Sequence, residues 1–228
     1  MLKRARVIVL ASAVASFGAP KLLRAQQAQI HPDTYSQLEF RYIGPVGNRT
    51  TAVAGVPGSP YLYYVGTASG GIFKTTDGGT HWEPIFDSEP VSSIGSLAVV
   101  ASDVNIVWAG TGESFIRSHI SVGDGIYKSL DAGKSWKLMG LEKTGRISNV
   151  VIDPRNPDIV LACALGHGYG PQPERGVFRT TDGGKNWEKV LFVDESTGCS
   201  DMAMDPNNSR ILFAGMWQME IHTWGRTS

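Results

Sequence analysis

Several common signals are missing from this 228-residue sequence, and each absence narrows the class of protein. No long helical pattern of apolar residues follows residue 28, which argues against a helical bundle. Phosphate-binding loops, Ser-His-Asp motifs and Cys-His zinc patterns are also absent. Cysteine is rare, with only Cys163 and Cys199. Each lies in an apolar run typical of a strand, so a buried free thiol is the simpler interpretation for both. A disulfide would be possible if the protein is exported to an oxidising compartment.

The N-terminal apolar run is too short for a membrane span. Lys3, Arg4 and Arg6 precede a mostly apolar stretch over 7–19, whereas a spanning helix needs about 20 residues. This pattern predicts a signal peptide over 1–28, with an uncleaved anchor as the alternative. The protein is therefore expected to be periplasmic or extracellular, with no membrane span after signal removal.

Positive charge is scarce once that signal is removed. The signal holds five basic residues and no acidic ones, so the mature chain keeps 16 basic against 21 acidic residues. A nucleic-acid partner would need a basic face. The charge balance therefore predicts no nucleic-acid partner.

Glycine and proline are plentiful, and they separate short apolar runs as turns do in an all-β protein. Among these turns, one pattern occurs three times, namely Ser/Thr-x-Asp-x-Gly-x-x-Trp. An apolar run precedes and follows each copy, and two more apolar runs joined by a turn lie upstream. The three copies are Thr75, Asp77, Gly79, Trp82; Ser129, Asp131, Gly133, Trp136; and Thr180, Asp182, Gly184, Trp187.

A repeat of four short strands with a period near 50 residues predicts a β-propeller, a solenoid being the competing architecture. About three and a half blades are present. The predicted boundaries are an N-terminal tail at 29–38, a ring-closing strand at 39–45, blades at 49–87, 93–141 and 146–192, and an incomplete blade at 199–228. The fourth unit lacks the repeated pattern, so we expect the rest of this propeller to be missing from the sequence.

The repeated pattern is predicted to be scaffolding. Its Asp can accept hydrogen bonds from turn N–H groups, and its Gly tolerates positive φ. Three equivalent carboxylates on three blades cannot converge on one bond, which argues against a catalytic role.

The pattern resembles the Asp-box, or bacterial neuraminidase repeat, of sialidases, xyloglucanases, a photosystem II assembly factor and the sortilin ectodomain. Together with FRYIGP, VSSIG, GTGE and GRTS, it looks most like large exported bacterial proteins of the sortilin N-terminal type, often labelled glycosyl hydrolases. Xyloglucanases of this type carry a catalytic Asp in a Thr-Asp-x-Gly-Gly stretch, where this sequence has Ala68. The Arg-Ile-Pro motif of sialidases is only loosely matched at 41–45.

Ligand-binding residues are expected in the loops that join the second strand of a blade to its third. These loops collect aromatic and charged residues, which suit recognition of a peptide or a sugar. The candidates are Arg49, Glu113, Arg117, His119, Arg146, His167, Tyr169, Arg175, Trp217, His222 and Trp224. No close histidine pair supports a metal site, so neither a metal nor a cofactor is predicted.

The resemblance implies a propeller that binds a peptide, protein or carbohydrate ligand. The alternative is a glycoside hydrolase whose catalytic residues lie mostly beyond this sequence. Its acid pair could be drawn from Glu113, Asp124, Glu174 and Glu220. Catalytic residues are otherwise unknown.

Overall fold

The computed structural model describes residues 31–36, 38, 43–46, 48–117 and 119–228. The predicted signal peptide therefore lies outside the described residues, as does most of the predicted ring-closing strand. A separate N-terminal unit contains a short 3-10 helix, Pro32–Tyr35, which begins at a proline. Within the described ranges, no helix is long and apolar enough to cross a membrane.

Short antiparallel strands dominate the larger unit, as the all-β prediction requires. Three sheets have four strands each, paired in chain order. The first sheet contains β1 (Thr50–Gly55), β2 (Tyr63–Thr67), β3 (Ile72–Thr75) and β4 (Glu83–Pro84). The second contains β5 (Ile94–Val99), β6 (Val107–Thr111), β7 (Ile126–Ser129) and β8 (Lys137–Leu138). The third contains β9 (Ile147–Asp153), β10 (Asn156–Ala164), β11 (Gly176–Thr180) and β12 (Glu188–Leu191).

The fourth unit is built differently, as its sequence predicted. Strands β13 (Thr197–Asp205) and β14 (Asn208–Gln218) form a two-stranded sheet. A separate hairpin follows, made of β15 (Glu220–His222) and β16 (Gly225–Thr227). Within the described residues, β14 pairs only with β13, so the edge on which a third strand would add is unpaired.

The core lies between consecutive sheets. Alternating apolar side chains of each sheet face the neighbouring sheet, as the two-residue period of a strand requires. Tyr64, Phe86 and Tyr127 are fully buried between the first and second sheets, and Trp108 between the second and third. Each sheet is thereby held to its neighbours through apolar burial, which is the principal stabilising term.

The three Asp-boxes join the third and fourth strands of their sheets and are closed by their own hydrogen bonds. In the third box, Thr180 Oγ1 donates to Asp182 Oδ1 at 2.8 Å, and the Gly184 N–H donates to Thr180 Oγ1 at 2.9 Å. The Asn186 side chain and N–H also donate to Asp182, which holds the pKa of that carboxyl well below its usual value. Gly184 has a φ of +97°, a conformation that favours glycine. Equivalent bonds close the other two boxes at Thr75, Asp77 and Gly79, and at Ser129, Asp131 and Gly133.

The tryptophans of the second and third boxes each join their blade to the preceding blade. Trp136 Nε1 donates to the Ile85 carbonyl at 2.8 Å, and Trp187 Nε1 donates to the Met139 carbonyl at 2.7 Å. Each acceptor follows the tryptophan of its own blade by three residues. The side chains of these boxes are therefore used in turn closure and in blade-to-blade packing.

Ile43, which precedes the first blade, accepts a tryptophan hydrogen bond as Ile85 and Met139 do. Trp82 Nε1 donates to the Ile43 carbonyl at 2.6 Å, as the other two tryptophans do to their acceptors. Residues 43–45 have no strand assignment, and 39–42 lie outside the described residues. The predicted ring-closing strand thus stays a prediction, although Ile43 has the contact that such a strand would make.

The expectation of free thiols is wrong. Cys163 in β10 and Cys199 in β13 form a disulfide, with their Cα atoms 5.1 Å apart. The hydroxyl of Ser148 also bridges the carbonyls of both cysteines, at 3.0 and 2.9 Å. The two residues meet because the first strand of the fourth unit packs against the second strand of the third sheet. The disulfide therefore ties the incomplete blade to the complete one.

Candidate ligand-binding face

One face of the sheets gathers the long loops. In a four-stranded antiparallel sheet, the connections after the second and fourth strands lie at one end, and the Asp-boxes lie at the other. We call the first end the upper face. Its main segments are 112–125 in the second blade, 165–175 in the third, and 219–228 after β14. In the first blade the same connection is short, at 68–71.

The long loops share a small apolar cluster of their own. Leu165, Met219 and Ile221 are buried together, and Ile116, Ile120 and Trp217 pack against them. Trp217, predicted to bind ligand, is thus a half-buried member of this cluster. Because all three loops contribute to the cluster, they support one another.

Two hydrogen bonds to backbone carbonyls, one from a backbone N–H and one from a side chain, fix the final hairpin to the other loops. The Ile221 N–H donates to the Gly168 carbonyl at 2.6 Å, and Arg226 Nη1 donates to the Ile116 carbonyl at 2.7 Å. The β15–β16 hairpin is therefore joined to loops of both the second and third blades. Arg226 lies in β16, and residue type alone does not reveal that its acceptor is in a loop of the second blade.

Two candidate arginines are buried and bind backbone carbonyls. Arg146 donates to the Gly166 and Ile120 carbonyls, at 3.2 and 3.3 Å. Arg175 donates to four carbonyls, those of His167, Gly170, Ser196 and Met219. Burial lowers the pKa of both guanidinium groups. The structure thus places these two side chains inside the face, where they hold loops in position.

A second group of candidates forms a charge cluster at the edge of the first blade. The Glu113 carboxylate has no exposed surface, and it accepts hydrogen bonds from Arg49 and from Arg117 Nε, the latter at 3.0 Å. Both arginine side chains are about half exposed. One carboxylate is therefore shared by two guanidinium groups, which gives the cluster a net positive charge facing solvent. The fold thus brings Arg49 to Glu113, which lies 64 residues further along the sequence, whereas Arg117 is four residues from Glu113.

The upper face carries three exposed aromatic side chains on its loops. Tyr169 and Trp224 are 58% and 84% exposed, and Phe115 is 61% exposed. Trp224 stacks on His222, with ring centres 4.9 Å apart and planes within 3°. Phe115 lies beside Ile116, and Tyr169 beside Gly168, which are the two residues bonded to the final hairpin. Phe115 was missed from the sequence because a lone Phe in a loop is usually buried.

The other two candidate histidines, His119 and His167, lie in different environments. His119 is exposed, whereas His167 is half-buried against Gly145. Burial, followed by the charge of Arg146, lowers the pKa of His167 from its ordinary value. Within the described ranges, no three His, Cys, Asp or Glu side chains are grouped as metal ligands.

Ala68 occupies the position at which the resembling xyloglucanases carry their first-blade Asp. Ala68 is buried, and its N–H donates to the Arg49 carbonyl at 3.0 Å. Asp124, another acidic candidate, accepts a hydrogen bond from the Tyr127 hydroxyl at 2.8 Å. The buried Glu113 is likewise bound by its two arginines. Glu174 and Glu220 are partly exposed.

Comparison with known proteins matches the geometry described above. Residues 178–189, which include the third box, match the family model of the BNR/Asp-box repeat. The chain has the all-β fold of a partial propeller whose four-stranded blades carry Asp-box repeats. The predicted fold class is confirmed, with boxes at 75–82 and 129–136 closed by the same hydrogen bonds as the matched one.

Known proteins similar to this chain include a xyloglucanase, a GH74 enzyme and a peptide complex. Xyloglucanase Xgh74A of Acetivibrio thermocellus is 26% identical over 156 residues, which is 59% of this chain and 16% of the enzyme. The crystal structure of an ancestral GH74 enzyme superposes with a TM-score of 0.60 at 25% identity, covering 78% of this Asp-box propeller and 23% of the enzyme. A structure described as YCF48 bound to D1 peptide has a TM-score of 0.50 at 16% identity, over 74% of this chain and 50% of that one. This chain therefore spans less than a quarter of the length of the enzymes.

Proposed function

We propose that this protein is an exported Asp-box β-propeller that binds a peptide, protein or glycan ligand on its upper face. The observation that carries the proposal is the set of exposed aromatics, Phe115, Tyr169 and Trp224, on loops joined by one apolar cluster. It fits the resemblance to sortilin N-terminal-type proteins. Export is supported by the N-terminal signal pattern and by the disulfide, because disulfides persist in oxidising compartments.

Rigid support makes these loops suitable for recognition. Binding requires loops and side chains to become ordered, which costs free energy. This cost is smaller for loops that are already held in place before the ligand binds. Arg146 and Arg175 hold the loops in place by donating hydrogen bonds to backbone carbonyls of several loop segments. Aromatic rings then offer large contact area to the apolar faces of sugars or to peptide side chains.

The charge cluster adds selectivity. Two half-exposed guanidinium groups around the buried Glu113 present hydrogen-bond donors to solvent. Such donors recognise carboxylates, carbonyls or hydroxyl groups of a ligand. A ligand that bridges the cluster and the aromatic rings would engage loops of three blades.

The proposal is tested by titrating the full chain with two panels, xyloglucan oligosaccharides and short peptides. We expect Tyr169→Ala and Trp224→Ala each to weaken binding of the best panel member at least tenfold. Tyr61→Ala is the matched control, because Tyr61 is 62% exposed and lies in the turn between β1 and β2, at the opposite end of the sheets. Equal loss in Tyr61→Ala, or no loss in the two upper-face variants, would overturn the proposal.

A second candidate function is glycoside hydrolysis, which the similarity to xyloglucanase Xgh74A favours. The two carboxyl groups of such enzymes lie about 5–9.5 Å apart. Glu113 is enclosed by arginines and Ala68 replaces the expected acid, so Glu174 and Glu220 are the carboxylates left to test. The assay is release of reducing sugar from xyloglucan. Turnover abolished by Glu174→Gln or Glu220→Gln would favour the hydrolase over the binding protein.

A further inference from the structure

A pocket opens between the second and third blades at the Asp-box end of the sheets, opposite the upper face. It has a volume of about 460 Å³. Three lysines, Lys128, Lys137 and Lys185, line this pocket together with the apolar side chains of Leu130 and Met139. Both blades that enclose the pocket have all four of their strands. The pocket therefore belongs to a complete junction between two complete blades.

The first and third blades each place a carboxylate of the fourth strand opposite a cation of the third strand. Lys74 lies opposite Glu83 in the first blade, and Arg179 lies opposite Glu188 in the third. Arg179 Nε also donates a hydrogen bond to Glu188 Oε1 at 2.8 Å. Oppositely charged cross-strand pairs stabilise a sheet, whereas like charges directly opposite each other destabilise it. These two blades therefore balance the cation within the sheet.

The second blade has a second cation where the other two have a carboxylate. Lys128 of β7 lies directly opposite Lys137 of β8, and both side chains line the pocket. Lys185 of the third box brings a third cation to the same place. Burial lowers the pKa of Lys128; Asp158 raises this pKa, and the charge of Lys185 lowers it. The pocket thus gathers positive charge at a register position that is balanced in the other two blades.

Two carboxylates at the pocket balance this charge only in part. Asp182 is bound within its own box, where Oδ1 accepts a hydrogen bond from the Lys185 N–H at 3.0 Å. Asp158 acts on Lys128 through its charge. The three lysines and these two aspartates together have a formal net charge of +1. Lys128 Nζ donates to the Gly183 carbonyl at 3.2 Å, which uses one of the three donors of its ammonium group.

We propose that this pocket binds a phosphate or sulfate ester of a sugar, at a site separate from the upper face. The oxyanion takes the place of the carboxylate that the other two blades have, and it accepts hydrogen bonds from the lysine ammonium groups. Lysine binds such oxyanions as a point charge. Leu130 and Met139 offer an apolar surface to the attached sugar ring, in a pocket of about 460 Å³.

The test is isothermal titration calorimetry of the full chain with glucose 6-phosphate, glucose 6-sulfate and glucose, at constant ionic strength. We expect saturable binding of at least one ester and none of glucose, and the ester with the lower Kd identifies the group. Lys137→Glu restores the charge pairing of the other two blades and should weaken binding at least tenfold. Without ester, this variant should melt at or above the wild-type temperature, because the repulsion between Lys128 and Lys137 is removed.

Two controls locate the effect. Lys134→Glu makes the same change of charge at an exposed position of the second box, equivalent to Lys185 in the third, and should leave the affinity within twofold. Tyr169→Ala/Trp224→Ala should also keep ester binding, which separates this pocket from the function proposed for the upper face. No binding of either ester, binding of glucose as tight as that of the esters, or equal loss in Lys134→Glu and Lys137→Glu would overturn the proposal.

Discussion

Trp136 offers a measurement of how strongly an Asp-box holds two blades together. Its Nε1 donates to the Ile85 carbonyl at 2.8 Å, and its ring meets Phe86 edge-on with centres 5.2 Å apart. Trp136→Phe removes the hydrogen bond and should cost about 1 kcal/mol of unfolding free energy. Trp136→Ala also removes the aromatic pair, about 1 kcal/mol. It further removes burial of a half-buried indole, about 2 kcal/mol. The expected total for Trp136→Ala is about 4 kcal/mol.

Urea unfolding, followed by far-UV circular dichroism, measures both losses. Trp224→Ala is the control, because that indole is 84% exposed and should change stability by no more than about 0.5 kcal/mol. The reasoning fails if Trp136→Phe is as stable as the wild type. It also fails if Trp136→Ala costs no more than Trp224→Ala.

Three further predictions concern the disulfide, the boxes and the charge cluster. Cys163→Ser should lower stability by about 3–4 kcal/mol, because the bond closes a loop with a sequence separation of 36; equal denaturation midpoints with and without reductant would contradict this. Hydrogen bonds from the Ser135 side chain and N–H hold the pKa of Asp131 at about 2, against an ordinary value of 3.8. Because this pKa is lowered in the folded protein, the Asp131 carboxylate contributes to folding stability above about pH 4, and this contribution is lost as the pH falls toward 2. Asp131→Asn should therefore destabilise the protein at pH 6 and hardly at pH 2, and a stability difference independent of pH would refute the assignment. Glu113→Gln removes the charge that binds two guanidinium groups and should cost about 2 kcal/mol in thermal unfolding; an unchanged melting temperature would show that the cluster is not structural.

The repeated blades were predictable because the same physical constraint recurs in the sequence. The box needs a hydroxyl, a carboxylate, a glycine and a tryptophan at fixed spacing to close one turn and reach the neighbouring blade. Short apolar runs on both sides then indicate the strands. A local rule repeated three times leaves little ambiguity about the fold class.

Contacts between blades were harder to predict. The disulfide between Cys163 and Cys199 depends on which strands of adjacent sheets face each other, and neither cysteine belongs to the repeated pattern. Arg146 and Arg175 were predicted to bind ligand because they lie in or beside the upper-face loops. Their acceptors are backbone carbonyls of other segments, which residue type alone cannot reveal.

We propose that ligands bind to the upper face, whereas the Asp-boxes close turns and join neighbouring blades. The most direct measurement is the affinity of Tyr169→Ala/Trp224→Ala for the glycan or peptide that the wild-type chain binds most tightly. Both side chains are mostly exposed, so the double variant should keep the wild-type melting temperature. We predict at least a hundredfold loss of affinity. Unchanged affinity in a variant that is folded, or no binding by the wild type to any member of either panel, would contradict the claim.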